Sequence, residues 1–114
     1  MGALMEWKAL RFLKQQGLRF IQRNFRTRLG ELDLIMLDYD TLVFVEVRYR
    51  KDEHYGGAVA SVTRQKQERL IAAAHGFLRI HPCYQNYFCR FDLVAFTEDN
   101  KKPEWLKNIL SLNR

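Results

Sequence analysis

Two acids, Asp33 and Glu46, interrupt the two most apolar stretches of the chain, Leu32 to Leu37 and Leu42 to Tyr49. Both stretches are rich in Leu, Ile, Val and Phe and read as strands. The connector Asp38-Tyr39-Asp40-Thr41 has the composition of a hairpin turn, although it lacks an Asn-Gly or Asp-Gly pair. Alternation along the second strand puts Leu42, Phe44, Glu46, Arg48 and Arg50 on one face and Val43, Val45, Val47 and Tyr49 on the other. In the first strand Asp33 shares a face with Ile35 and Leu37. A hairpin centred between Tyr39 and Asp40 sets Asp33 opposite Glu46 and Glu31 opposite Arg48. Directly opposed residues have Cβ atoms about 4.5–5.5 Å apart, where two partly buried carboxylates repel. A hard divalent cation offsets that repulsion, because it prefers oxygen ligands and can bridge protein to phosphate; Mg²⁺ is the ion expected.

A third carboxylate is within reach of such a site. If residues 3–16 form a helix, Glu6 lies on the stripe of Leu10, Leu13 and Gly17, where packing alone would not put an acid. Near a helix start it would equally complement the dipole from solvent. The hairpin acids also have a plainer reading as ion pairs, Glu46 with Arg48 or Arg50 and Glu31 with Arg48. Arg64 and Lys66 fall at the start of a second helix, an end that ordinarily prefers acids. Positive groups there suit a bound phosphate, helped by the exposed amides, or form a solvated face.

Positioning these groups is the task of one compact domain spanning residues 1–114, with 47% hydrophobic and 28% charged residues. The apolar spacing in 3–16 predicts a helix stopped by Gly17, and Leu18 to Phe25 reads as a strand before a break at 27–30. After the hairpin, residues 51–60 are polar and then flexible around Gly56-Gly57, the expected mobile loop, with His54 and Tyr55 as surface residues. Ser61 caps a helix reaching Arg79, with Leu70, Ile71, Ala74, Phe77 and Leu78 on its apolar face, and His81-Pro82 ends it. Residues 87–97 form another strand. Pro103 opens a short C-terminal helix carrying Trp105, Leu106, Ile109 and Leu110. The predicted order is α-β-β-β-α-β-α.

The net charge of +6 is local. Residues 1–28 hold Lys8, Arg11, Lys14, Arg19, Arg23, Arg26 and Arg28 against the single acid Glu6, while charges balance in the rest of the chain. Such a patch suits a polyanion, nucleic acid above all. No apolar run approaches the ~20 residues a bilayer demands, so a membrane partner is not expected and the protein is placed in the cytoplasm. Two cysteines are too few for a disulfide scaffold; Cys83 and Cys89 read as free thiols, and with His81 they do not match common zinc spacings. Trp7, Phe12, Phe20 and Phe25 are expected in the core, and Asp92 is expected to pair with a neighbouring arginine.

Gly30-Glu31-Leu32-Asp33-Leu34-Ile35 followed by Phe44-Val45-Glu46-Val47-Arg48-Tyr49-Arg50 resembles the UPF0102 (YraN-like) family. So do Gly56-Gly57, the run from Ser61 to Gln67, and Arg90-Phe91-Asp92. The resemblance spans nearly the whole chain. That family is similar to the Holliday-junction resolvases and to nucleases of the restriction-endonuclease-like fold. It implies an α/β fold with an αβββαβ core, in which a mixed central sheet is flanked by helices.

The resemblance also implies roles. Asp33 matches the aspartate of the metal-binding motif, Glu46 the acid of the E-x-K motif, and Glu6 the helical glutamate of resolvase-like members. Arg48 stands where the wider nuclease pattern has lysine; its guanidinium stays charged and can orient water or stabilise phosphate, but is no base. The expected activity is Mg²⁺-dependent endonucleolytic hydrolysis of DNA phosphodiesters, with Mn²⁺ as a substitute, selective for branched or junction DNA, in repair or recombination. Lys66 and Arg48 would stabilise charge, while Arg26, Arg28, Arg50 and Arg64 would hold flanking phosphates without reading sequence. A homodimer would match the symmetry of a four-way junction. The alternative is a nucleic-acid-binding module that keeps the nuclease fold with weak or no catalysis.

Overall fold

A computed structural model describes residues 2–50, 60–97 and 102–112. The chain runs through α1 (Gly2–Gln15), β1 (Arg19–Arg26), β2 (Glu31–Asp38), β3 (Thr41–Arg50), α2 (Arg64–Ile80), a single 3₁₀ turn (Pro82–Tyr84), β4 (Phe88–Thr97) and β5 (Glu104–Leu110). The strands form one mixed sheet in the order β1-β2-β3-β4-β5, in which only β3 and β4 run parallel. That parallel pair needs a crossover, and α2 lies between its strands in the chain.

The helices cover opposite faces of the sheet. Met5, Ala9, Leu10 and Leu13 of α1 pack on Leu34, Met36, Val43, Val45 and Val94. Leu70, Ala73, Ala74, Phe77 and Leu78 of α2 pack on Ile35, Leu42, Phe44, Phe91 and Leu93. Phe77 anchors the second core through edge-on contacts with Phe25 and Phe44. Covering on both faces explains why β3 and β4 are near-continuous apolar runs in which a charge is conspicuous.

Several expected boundaries hold, and others shift. Gly17 takes φ +98°, which lets it close α1 as a left-handed residue. The hairpin turn is Tyr39-Asp40, with Tyr39 itself in the left-handed region at φ 57°. The second helix is capped by Thr63 rather than Ser61: the Thr63 hydroxyl accepts from the Lys66 amide at 3.2 Å. The loop expectations at 51–59, including His54, Tyr55 and Gly56-Gly57, lie outside the described residues.

The C-terminal helix expected after Pro103 is instead β5, paired antiparallel with β4. The apolar pairs 105/106 and 109/110 resemble helical spacing. They arise because the register shifts and Asn108 adopts φ 57°, which resets the alternation within a strand. Pairing there also covers the β4 edge.

Gly30 is required by close approach. A Cβ at this position would run into the backbone carbonyl of Arg69 in α2. Gly30→Ala is therefore expected to cost about 2–3 kcal/mol in urea unfolding, by driving the loop between β1 and β2 away from the helix. Stability equal to wild type would mean the two do not press together.

Candidate acidic site at the strand fork

The β2–β3 ladder follows the register anticipated from the turn for five pairs and ends at Leu34↔Val45. Beyond that point β2 stays with β1 to Arg26↔Glu31, while β3 stays with β4 to Arg50↔Thr97. A fork opens between them. Leu32 and Ile35, three residues apart, both pack in the α2 core, so β2 rolls about its axis at Asp33. The Asp33 carboxylate then accepts the Val47 amide at 2.8 Å, replacing the ladder bond that the divergence removes. The acid is thus held by the backbone of the opposite strand.

Glu46 lies across the fork with 4% of its surface exposed. Burial, followed by the neighbouring Asp33 charge, pushes its carboxyl up to about 7, against the pull of Lys66 and Arg48. Asp33 is also raised, chiefly by burial, with the Val47 amide and a hydrogen bond from Glu46 opposing. The two acids titrate together, and burial disfavours both being charged at once. Lys66 Nζ and Arg48 Nε each lie 3.2 Å from Glu46 Oε2. The Arg48 contact is an ion pair without hydrogen-bond alignment, since its Nε is buried and lacks a hydrogen-bond partner. The other end of Arg48 donates to the Ser61 carbonyl at 3.3 Å.

Glu6 of α1 feels the charge of this pair. Burial and then the charge of Asp33 raise its carboxyl, against Arg23 and a hydrogen bond from Asn24. Its Oε1 is buried with no hydrogen-bond partner. Among the described residues no three His, Cys, Asp or Glu side chains converge closely enough to enclose an ion alone. The donor set fits a hard cation held by the Asp33 and Glu46 carboxylates, with water and phosphate oxygens filling the remaining positions, the manner in which Mg²⁺ usually binds.

The expected contact between Glu31 and Arg48 is not made. Once the ladder ends, Glu31 pairs with its β1 neighbour Arg26 at 3.3 Å and Arg48 turns to Glu46. Arg26 and Arg28 line a recess with Lys66 and Arg69, directly beside the acidic pair. Arg64 points to solvent, 3.8 Å from Glu68 one turn on. Arg50 is half-buried at the end of β3 with an unpartnered Nε.

Three residues of the site escaped sequence reading. Arg69 lies three positions beyond Lys66, the same helical face, which was a usable signal. Arg23 and Asn24 of β1 reach Glu6, and no spacing rule connects them to α1. Two aromatic expectations are also corrected: Trp7 and Phe20 are exposed rather than core, whereas Phe25 is buried. Trp7 falls on the outer stripe of α1 with Leu4, Arg11 and Lys14, so the helix buries its other side. Cys83 is exposed and Cys89 half-buried, both as free thiols.

A five-stranded mixed sheet, a helix on each face and acids at a fork between its central strands define an α/β protein compatible with a restriction-endonuclease-like core. The chain belongs to the Uncharacterised protein family UPF0102, whose model matches residues 5–96. It is 53% identical over 109 residues to a UPF0102 protein of Herminiimonas arsenicoxydans, covering 96% of this chain and 85% of that protein. Over 107 residues it is 47% identical to one from Psychromonas ingrahamii, covering 94% and 86%. Over 110 residues it is 50% identical to one from Pseudomonas putida, covering 94% and 89%. Among the described residues no helix is long and apolar enough to cross a membrane.

Proposed function

We propose that this chain is a cytoplasmic, divalent-metal-dependent endonuclease that hydrolyses DNA phosphodiester bonds, acting on branched or junction structures in repair or recombination. The observation that carries this reading is the pair of acids at the fork, half-buried Asp33 on the Val47 amide and buried Glu46 against Lys66. Keeping two such acids adjacent costs stability, and a bound cation is the natural recipient of both.

Asp33 and Glu46 would hold Mg²⁺ or Mn²⁺, which when bound supplies Lewis-acid activation of the phosphate and of the attacking water. The chain's own groups do the rest. Lys66 supplies a primary ammonium at the acid where Arg48 supplies only a fixed charge; released from Glu46, it would meet the charge developing on the phosphate oxygens. Arg48, tied to Ser61, would keep the segment before α2 against the site. Arg26, Arg28 and Arg69 in the adjoining recess would hold a neighbouring phosphate, and Arg50 the strand beyond. Recognition through phosphates carries no sequence information and weakens steeply with salt. A homodimer would present two such sites to a four-way junction.

Lys66→Met is expected to lower the single-turnover cleavage rate of a labelled junction by ~10²-fold at saturating Mg²⁺. An unchanged rate would remove Lys66 from the chemistry. The two ion pairs on Glu46 favour a second reading, a nucleic-acid-binding module without efficient catalysis. Salt-sensitive DNA binding with no metal-dependent incision by the wild type would select it.

A further inference from the structure

We infer that Trp7 and Arg23 form a stacking platform for an unpaired nucleobase beside the acidic fork, so that this face takes single-stranded or branch-point nucleic acid in preference to continuous duplex. The inference rests on reading the face as a nucleic-acid interface, but not on catalysis. Trp7 is 55% exposed on the outer stripe of α1, and the Arg23 guanidinium sits 4.6 Å from the centre of its ring. The cation fixed over the exposed indole orients its ring. Leu4 on the same stripe is equally exposed, and a shallow cleft bounded by Trp7, Arg11 and Lys14 continues along the helix.

The surroundings select the occupant. Arg11, Lys14 and Arg23 belong to the segment with seven basic residues and a single acid, which favours a polyanion over an apolar or acidic-poor partner. Alternating aromatic and cationic groups match a single strand, whose backbone follows the charges while its bases stack on rings and guanidinium planes. Bases inside a duplex are stacked on each other and offer no free face. Arg23 pairs with Leu34 across the β1–β2 ladder, next to Asp33 in the chain, so the platform stands beside the fork. A base displaced at a branch point would be held there while its strand passes the acids.

Trp7 is one of two tryptophans; the other, Trp105, is half-buried with its Nε1 donating to Asp92 at 3.0 Å. The difference in emission between wild type and Trp7→Phe therefore isolates Trp7. In EDTA, a single-stranded oligonucleotide and a forked duplex are expected to quench that difference, and a blunt duplex of equal length to leave it unchanged. Trp7→Ala should weaken single-strand binding about tenfold, with less than about a twofold change for blunt duplex. Equal quenching by blunt duplex, or unchanged single-strand affinity in Trp7→Ala, would overturn the platform. A shift from dimer to monomer in Trp7→Ala with DNA binding intact would do so as well, by giving the patch to a second copy. Trp7-dependent binding by a protein that cuts nothing would leave this inference standing and remove the nuclease.

Discussion

Replacing Glu46 by glutamine is expected to abolish metal-dependent DNA cleavage, by ~10³-fold or more, and at the same time to make the protein more stable. The activity loss follows from removing one of the two carboxylates that would hold the cation. The gain in stability follows from burial. An acid whose folded-state pKa lies above its unfolded value costs nothing below the unfolded value, detracts increasingly as pH rises between the two, and does so fully above the folded one. Glu46 is raised from 4.5 to about 7, so its penalty builds across that interval. Fully developed, it amounts to about 3 kcal/mol. Glutamine, which mimics the protonated acid, should escape it. In metal-free buffer at pH 8 the Glu46→Gln variant should melt higher than wild type by on the order of 10 °C, and the two curves should coincide at pH 4. A variant less stable than wild type at pH 8 would show that the Lys66 and Arg48 ion pairs outweigh the burial of the charge. Such opposition between activity and stability is the expected mark of residues kept for function.

Asp92 presents the reverse case, a fully buried acid with every partner in place. It is 0% exposed and accepts from Arg90 Nε at 3.0 and 3.2 Å, from Trp105 Nε1 at 3.0 Å and from the Asn108 amide at 3.0 Å. Arg90 in turn donates to Asp38 at 3.0 Å; burial opposes its charge, but Asp92 and Asp38 outweigh it and hold it protonated. The network fastens β5 to β4 at the point where the register shifts, and it links both to the end of β2. Asp92→Ala would leave a guanidinium with one partner, and an indole and a backbone amide with none. The expected loss is about 3–5 kcal/mol in urea unfolding, a large share of the stability of a domain this size. A loss below about 1 kcal/mol would mean that water replaces the carboxylate, and that β5 is held by its apolar contacts instead.

The contrast between these acids explains what could be read from the chain. Asp33 and Glu46 stood out because each breaks an apolar strand, and because a two-residue turn fixes the register between them. The expected register already ends before Asp33 and Glu46, which face each other across the fork rather than as a ladder pair, and it does not bring Glu31 to Arg48, because nothing in the residues announces where a ladder ends. Side-chain capping of the Val47 amide by Asp33 is a tertiary event. β5 looks helical in the sequence because Asn108 in the left-handed region converts a strand's alternation into pairs of apolar residues that imitate a helix. Residue type alone puts Trp7 in the core, whereas its stripe with Leu4, Arg11 and Lys14 is the face that two cations make hydrophilic.

The central claim is that the acids at the fork hold a divalent cation that drives phosphodiester hydrolysis. Its most direct test is incision of labelled duplex, single-stranded, flap and four-way-junction DNA by wild type and Glu46→Gln, in Mg²⁺, Mn²⁺ or EDTA. The account predicts incision of branched substrates by the wild type, dependent on added metal, absent in EDTA and lost in the variant while its fold and DNA binding persist. Cleavage that survives in Glu46→Gln, or wild-type protein that binds these substrates yet cuts none with either metal, would contradict it.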